Sequence, residues 1–123
     1  MNLKDCYDVF GGNFDEVLSR LRREPTIQKF AFKFLDDQSF QLLKESMDAG
    51  NYEEALRAVH TLKGICQNLS FTRLYEYSSQ MNEDLKAGNH EKAVGIMPQL
   101  SECYSKIVNT LKEYKKISEE VLK

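Results

Sequence analysis

The run Ala55-Leu56-Arg57-Ala58-Val59-His60-Thr61-Leu62-Lys63-Gly64-Ile65-Cys66-Gln67-Asn68-Leu69 decides how the chain is read. A helix advances roughly 100° per residue, so Tyr52, Ala55, Val59, Leu62, Cys66 and Leu69 fall on one stripe, the face that packs. At the same step His60 lies roughly 140° around from Ala55, off that stripe and toward solvent. Gly64 follows one turn later on the flank of His60, and Lys63 sits between His60 and the packing face. The stretch therefore presents an outward imidazole, a cation beside it and a neighbouring position with no side chain.

Each of these has a chemical meaning. A neutral imidazole is a nucleophile, and it is neutral for much of its population near physiological pH. A lysine within one turn brings positive charge to an arriving or attached phosphoryl group. Glycine inside a helix costs about 1 kcal/mol relative to alanine. Close approach of a second macromolecule is a reason to keep the surface flat there. A solvated face carrying unrelated His, Lys and Gly residues is the competing reading. It is the better one for any of the three taken alone, and the poorer one for all three at this spacing.

Outward from this run the pattern stays helical. Asn51 with Glu54 three residues on is an Asn variant of the capping box and starts the motif helix, which should end near Asn68. Before it, Pro25 suits a first helical turn. Ile27, Phe30, Ala31 and Phe34 make one stripe there, and Phe40, Leu43 and Met47 make a second, rotated one. Asp36-Asp37-Gln38-Ser39 lies between them, so the segment either continues with a wide apolar face or breaks near Asp37; the favoured reading is one helix to Ala49, stopped by Gly50. Further upstream, Met1 to Gly12 reads as a short start ending in a Gly11-Gly12 turn, and Asn13 caps a short accessory helix from Phe14 to about Arg23.

Downstream, Ser70 or Thr72 should cap a helix with the stripe Phe71, Leu74, Ser78, Met81 and Leu85, closed by Ala87-Gly88-Asn89. The last helix starts near His90 and repeats Ala93, Met97, Leu100, Tyr104, Ile107, Leu111 and Tyr114 at bundle spacing. Pro98 should kink it or mark a late true start. The tail 116–123 is polar and should fray. These elements predict an all-α, antiparallel up-down-up-down four-helix bundle with a short N-terminal accessory helix. It forms a single domain over residues 1–123 with its core at about 25–115. Packing the stripes inward leaves His60 outward.

Here the residues resemble the histidine-containing phosphotransfer (HPt) family of bacterial phosphorelays. The likeness rests on His60-Thr61-Leu62-Lys63-Gly64 followed by Cys66 and Leu69-Ser70, and it extends with the helix spacing over roughly Thr26 to Tyr114. It departs from the family pattern at Cys66, where Ser or Ala is usual, and at Ser70, where Gly is usual. Asn82 stands where some members carry a glutamine that hydrogen-bonds the histidine. The resemblance implies a phosphorelay intermediate that accepts and donates a phosphoryl group on His60, between receiver-domain aspartates. Lys63 would stabilise the charge and Gly64 would give steric access. Arg57 and Gln67 would share the docking face, and Asn82, on the next helix, would orient the imidazole. The partners implied are response-regulator receiver domains or a hybrid sensor kinase. No cofactor of the chain's own is implied; Mg²⁺ would sit on the partner's receiver domain.

Composition limits the alternatives. The chain has 123 residues, one domain by length and enough for a core without staples. A net charge of −2 with mixed signs argues against nucleic acid as a partner. No apolar run reaches the length of a membrane span, and no secretory signal is visible. Cys6, Cys66 and Cys103 lack metal or redox spacing and read as reduced, packed thiols of a cytoplasmic protein, rather than as a redox sensor. No Gly-rich phosphate loop, no His-Arg-Asp motif and no carboxylate cluster beside His60 is present, so autonomous kinase activity is not expected. A monomer is expected, and Met1 running directly into foldable sequence suggests a stand-alone protein. His90 reads as an ordinary surface residue. A non-catalytic adaptor that binds a receiver or a partner helix is the alternative function. A bundle metalloprotein is disfavoured, because position 57 is Arg rather than the Glu such sites need.

Overall fold

The computed structural model describes residues 1–121. Among them are seven helices and no strand: α1 (Leu3–Phe10), α2 (Phe14–Leu21), α3 (Glu24–Phe34), α4 (Ser39–Asp48), α5 (Tyr52–Leu69), α6 (Thr72–Lys86) and α7 (His90–Val121). Helix α5 packs between α4 and α6, α7 packs on α6 and reaches α4, and α1 and α3 both lie against α7. The expected motif helix is present to within a residue. Asn51 caps it, its Oδ1 accepting from the Glu54 N–H at 3.3 Å. Ala55, Val59, Leu62, Cys66 and Leu69 are all buried, as the stripe requires.

Several expectations need correction. Residues 3–10 of the short start before the Gly11-Gly12 turn form a helix that the expected elements did not include. Asn2 and Asp5 make a reciprocal capping box, Leu3, Cys6, Tyr7 and Phe10 bury one face, and left-handed Gly11 ends it. There are thus two short N-terminal helices, and the core begins at Leu3, well before residue 25. The segment 24–48 is two helices and not one. Nine residues separate Phe34 from Leu43, which in one continuous helix would put them roughly 180° apart. The chain resolves the conflict by breaking at Leu35–Gln38, where the Asp37 carboxylate accepts from the Ser39 N–H at 2.8 Å. Both Phe34 and Leu43 are then buried, while Phe30 falls outside the core.

Helix α7 runs unbroken through Pro98 from His90, so Pro98 does not mark a late start. The proline is exposed, and Val94, whose carbonyl loses its helical donor, is 50% exposed, so water can meet that carbonyl. The helix also continues through the polar tail as far as Val121; residues 122–123 lie outside the described residues. His90 is exposed and its ring stacks on Tyr52, with centroids 3.9 Å apart.

The end of α5 is where the accessory helices attach. Ser70 closes α5 with φ 55°, a left-handed residue, and does not cap α6. Neither does Thr72: the N-cap of α6 is Phe71, with no side-chain bond. A left-handed serine is strained by about 1 kcal/mol relative to glycine. It is offset by two hydrogen bonds: Ser70 Oγ donates to Glu16 Oε1 at 2.6 Å and accepts from Arg20 Nη2 at 2.8 Å. Arg20 also donates to the carbonyls of Gln67 (2.9 Å) and Asn68 (2.7 Å), the Tyr7 hydroxyl donates to Leu69 O at 2.7 Å, and the Asn13 N–H donates to Ser70 O at 2.9 Å. The carbonyls that a helix end leaves unpaired are supplied here by α1, α2 and the turn between them. Aromatic packing reinforces the junction. Phe71 lies 5.1 Å from both Phe10 and Phe34, ring centre to ring centre, and Phe34 meets Tyr104 at 5.7 Å.

Two predictions follow from this junction. A Cβ on Gly12 would stand 2.5 Å from Tyr7 Cδ2 and 3.0 Å from Ser70 O. Gly12→Ala should therefore destabilise the protein by about 1–3 kcal/mol in urea unfolding, and an unchanged midpoint would show that the junction yields freely. Burial pushes the Cys66 thiol and the Tyr7 phenol well above their ordinary ranges. Burial, with the Asp5 charge second, raises Cys6 to about 11. An unfolded thiol ionises near pH ~8.5, so above that pH the unfolded chain binds fewer protons than the folded one and stability falls. The urea midpoint should drop between about pH 8 and about pH 10, and drop less in Cys6→Ala; a flat profile would contradict the burial of these groups.

Candidate functional site

Helix α5 carries the site on the face opposite its buried stripe. His60 is exposed, and among the described residues no hydrogen bond or ion pair engages its ring. Its neighbours Val59 and Leu62 are fully buried, which fixes the helix rotation and so the direction His60 takes. Lys63 is half-buried, three residues on. No hydrogen bond or ion pair among the described residues holds its ammonium, so its charge is uncommitted. Gly64 is exposed, and a Cβ built on it meets nothing within 4 Å. No internal contact therefore requires glycine there, and its helix penalty is not recovered inside the fold.

The other expected residues divide. Arg57 is exposed, but its guanidinium points back along the helix. Nη1 donates to Glu54 Oε2 at 2.9 Å and Nη2 donates to Glu53 Oε1 at 3.0 Å. Such exposed pairs contribute a few tenths of a kcal/mol and can open when a partner arrives. The Gln67 side chain is exposed on the same face as His60, while its backbone carbonyl is held by Arg20.

Asn82 is the correction. It is 2% exposed, it makes no hydrogen bond to His60, and its Oδ1 has no partner. It cannot serve as a surface docking residue. The reason is positional: Asn82 lies four residues after Ser78 and three before Leu85, inside the inward stripe of α6. Ser78 Oγ is likewise buried without a partner, so this stretch of α6 carries polar atoms inward.

The arrangement offers a nucleophile, a free cation and open access. Among the described residues no three His, Cys, Asp or Glu side chains are grouped to hold an ion. No described helix is long and apolar enough to cross a membrane. The clamp residue Arg20 was not legible beforehand. Its role depends on where α2 lands against α5, and no local pattern signals that.

The family model described as "Hpt domain" matches residues 9–110. No curated protein and no solved structure gave a match. If Gly64 is kept for access and not for the fold, Gly64→Ala should raise stability by about 0.5–1 kcal/mol. A loss of stability in thermal or urea unfolding would show a structural need that the open space around it does not reveal.

Proposed function

Because the chain belongs to the Hpt domain family, whose members carry phosphoryl groups between histidine and aspartate in two-component phosphorelays, we propose that His60 is the residue that carries the group here. The observation that supports this most is the surface around it: an unengaged imidazole, an uncommitted ammonium at Lys63, and a bare backbone at Gly64.

Phosphoryl transfer needs in-line placement and charge neutralisation more than covalent assistance. An imidazole nitrogen of His60, by family analogy Nε2, attacks the phosphorus of a receiver's aspartyl phosphate. The N–P bond forms as the P–O bond breaks, and the aspartate carboxylate leaves with the electron pair. Nδ1 keeps its proton until solvent takes it. Lys63 neutralises part of the charge on the phosphoryl oxygens. The reverse step delivers the group to a second receiver. Gly64 allows the partner's backbone to come within van der Waals distance of α5.

The acidic pocket and its Mg²⁺ belong to the receiver in this account, and the chain itself acts as a carrier with no kinase activity of its own. In the bundle we propose, α4 to α7 alternate in direction, as their short connections favour. The protein works as a cytoplasmic monomer in one domain. Arg57 and Gln67 stand at the docking surface.

An adaptor that binds receivers without carrying phosphate is the alternative reading, and one substitution separates the two. His60→Gln should abolish labelling by acetyl-phosphate-charged receiver domains while circular dichroism and the unfolding midpoint stay within error. Labelling of the variant equal to the parent would contradict His60 as the carrier. Absence of acid-labile phosphate on the parent, with receiver binding intact, would favour the adaptor.

A further inference from the structure

We propose that Arg57 is a switchable ligand of the loaded site. In the unloaded protein its guanidinium is parked on Glu53 and Glu54, and it turns to the phosphoryl oxygens once His60 carries the group. This deepens the carrier reading and rests on it. The parked state is explicit in the structure. Nη1 donates to Glu54 Oε2 at 2.9 Å and Nη2 donates to Glu53 Oε1 at 3.0 Å, so both ends of the fork face the first turn of α5. The Arg57 side chain is nonetheless 64% exposed, and its two partners are 82% and 36% exposed. Ion pairs as open as these are weak and reopen readily.

Position puts the second state within reach. At 100° per residue, Arg57 and Lys63 lie roughly 60° to either side of His60, three residues before it and three after. Side chains at that spacing have Cβ atoms about 5–6 Å apart. Helical side chains lean toward the N-terminus, so the His60 ring leans over the turn that carries Arg57, and Lys63 leans back toward the ring. A phosphoryl group on His60 stands between a guanidinium and an ammonium as soon as Arg57 swings off the first turn.

Electrostatics drives that swing only when the group is present. A phosphoryl group carries about −1.5 to −2 charge at neutral pH. It also presents three acceptor oxygens, two of which a guanidinium fork meets at once. A neutral imidazole offers neither the charge nor the paired acceptors. The acids left behind are not stranded, because Glu53 and Glu54 lie in the first turn of α5, where the positive end of the helix dipole favours carboxylates. Lys63 is uncommitted in the unloaded state, whereas Arg57 arrives with the charge. Loading is thereby stabilised, and the turn below His60 changes from a neutralised surface to one with two unpaired acids. A receiver's acidic pocket meets a different face before and after transfer.

The test reads an equilibrium, because weaker docking slows transfer in both directions and leaves the end point in place. Parent, Arg57→Gln, the double variant Glu53→Gln/Glu54→Gln and a distant control, Lys92→Gln, are each mixed with a loaded receiver that labels the parent. Concentrations stay below those at which the two proteins remain bound. The ratio of phosphorylated His60 to phosphorylated receiver should fall about threefold or more in Arg57→Gln. It should rise about twofold in the double variant, where nothing holds Arg57 back, and stay within error in Lys92→Gln. In parallel, NMR follows the Arg57 Nε–H of the parent during loading by phosphoramidate, a small donor that needs no docking. The resonance should shift on loading and return when acid releases the phosphate.

An unmoved Arg57 resonance in the loaded parent would overturn the switch. So would an unchanged ratio in Arg57→Gln, or a lower ratio in the double variant. A parent that neither donor labels on His60 would instead overturn the carrier reading beneath it.

Discussion

Burial of one face of α5 is the constraint from which the rest follows. Ala55, Val59, Leu62 and Cys66 have no exposed surface, and Leu69 has little. Fully burying side chains of this kind contributes on the order of 1.5–3 kcal/mol for each large aliphatic one. A rotation of α5 large enough to bury His60 would expose several of them at once. The imidazole therefore needs no contact of its own to be held outward. The direction of this side chain is set by what lies behind it.

The second constraint acts along the axis of α5. Its last carbonyls accept from Arg20, Tyr7 and the Asn13 N–H, so the motif helix ends against α1 and α2 rather than in solvent. A guanidinium at a helix C-terminus is favoured both by hydrogen bonding and by the helix dipole. The arrangement also accounts for the serine at position 70. Glycine is the usual solution at a left-handed residue, but Ser70 supplies a hydroxyl that joins Glu16 to Arg20. What looked in the sequence like a departure from the family pattern is part of the joint between the N-terminal helices and the motif helix.

The sequence made the motif helix, α6, the start of α7 and the outward direction of His60 legible, because each depends on local periodicity and on caps. Helix α1 has a local signal too, in Asn2, Asp5 and the spacing of Leu3, Cys6, Tyr7 and Phe10, although it is only eight residues long. The break at Asp37 was carried by the rotation between the two apolar stripes, a signal that outweighs the helix-forming residues around it. The burial of Asn82 was harder to see. It depends on how wide the inward face of α6 is, which neighbouring helices determine. The Arg20 clamp is purely tertiary and left no trace in local sequence.

Two histidines are present, and they differ in what surrounds them. His90 stacks on Tyr52 at the start of α7, while His60 stands free beside Lys63 and Gly64. The second environment, with an uncommitted ammonium and a bare backbone beside the ring, is the one on which the proposed carrier role rests. The most direct test is a long-range proton–nitrogen NMR correlation of both imidazoles before and after loading with a phosphodonor. The account predicts a phosphorus-coupled Nε2 on His60 and an unchanged ring at His90. Phosphorus on His90, or on neither ring while phosphate is incorporated elsewhere, would contradict it.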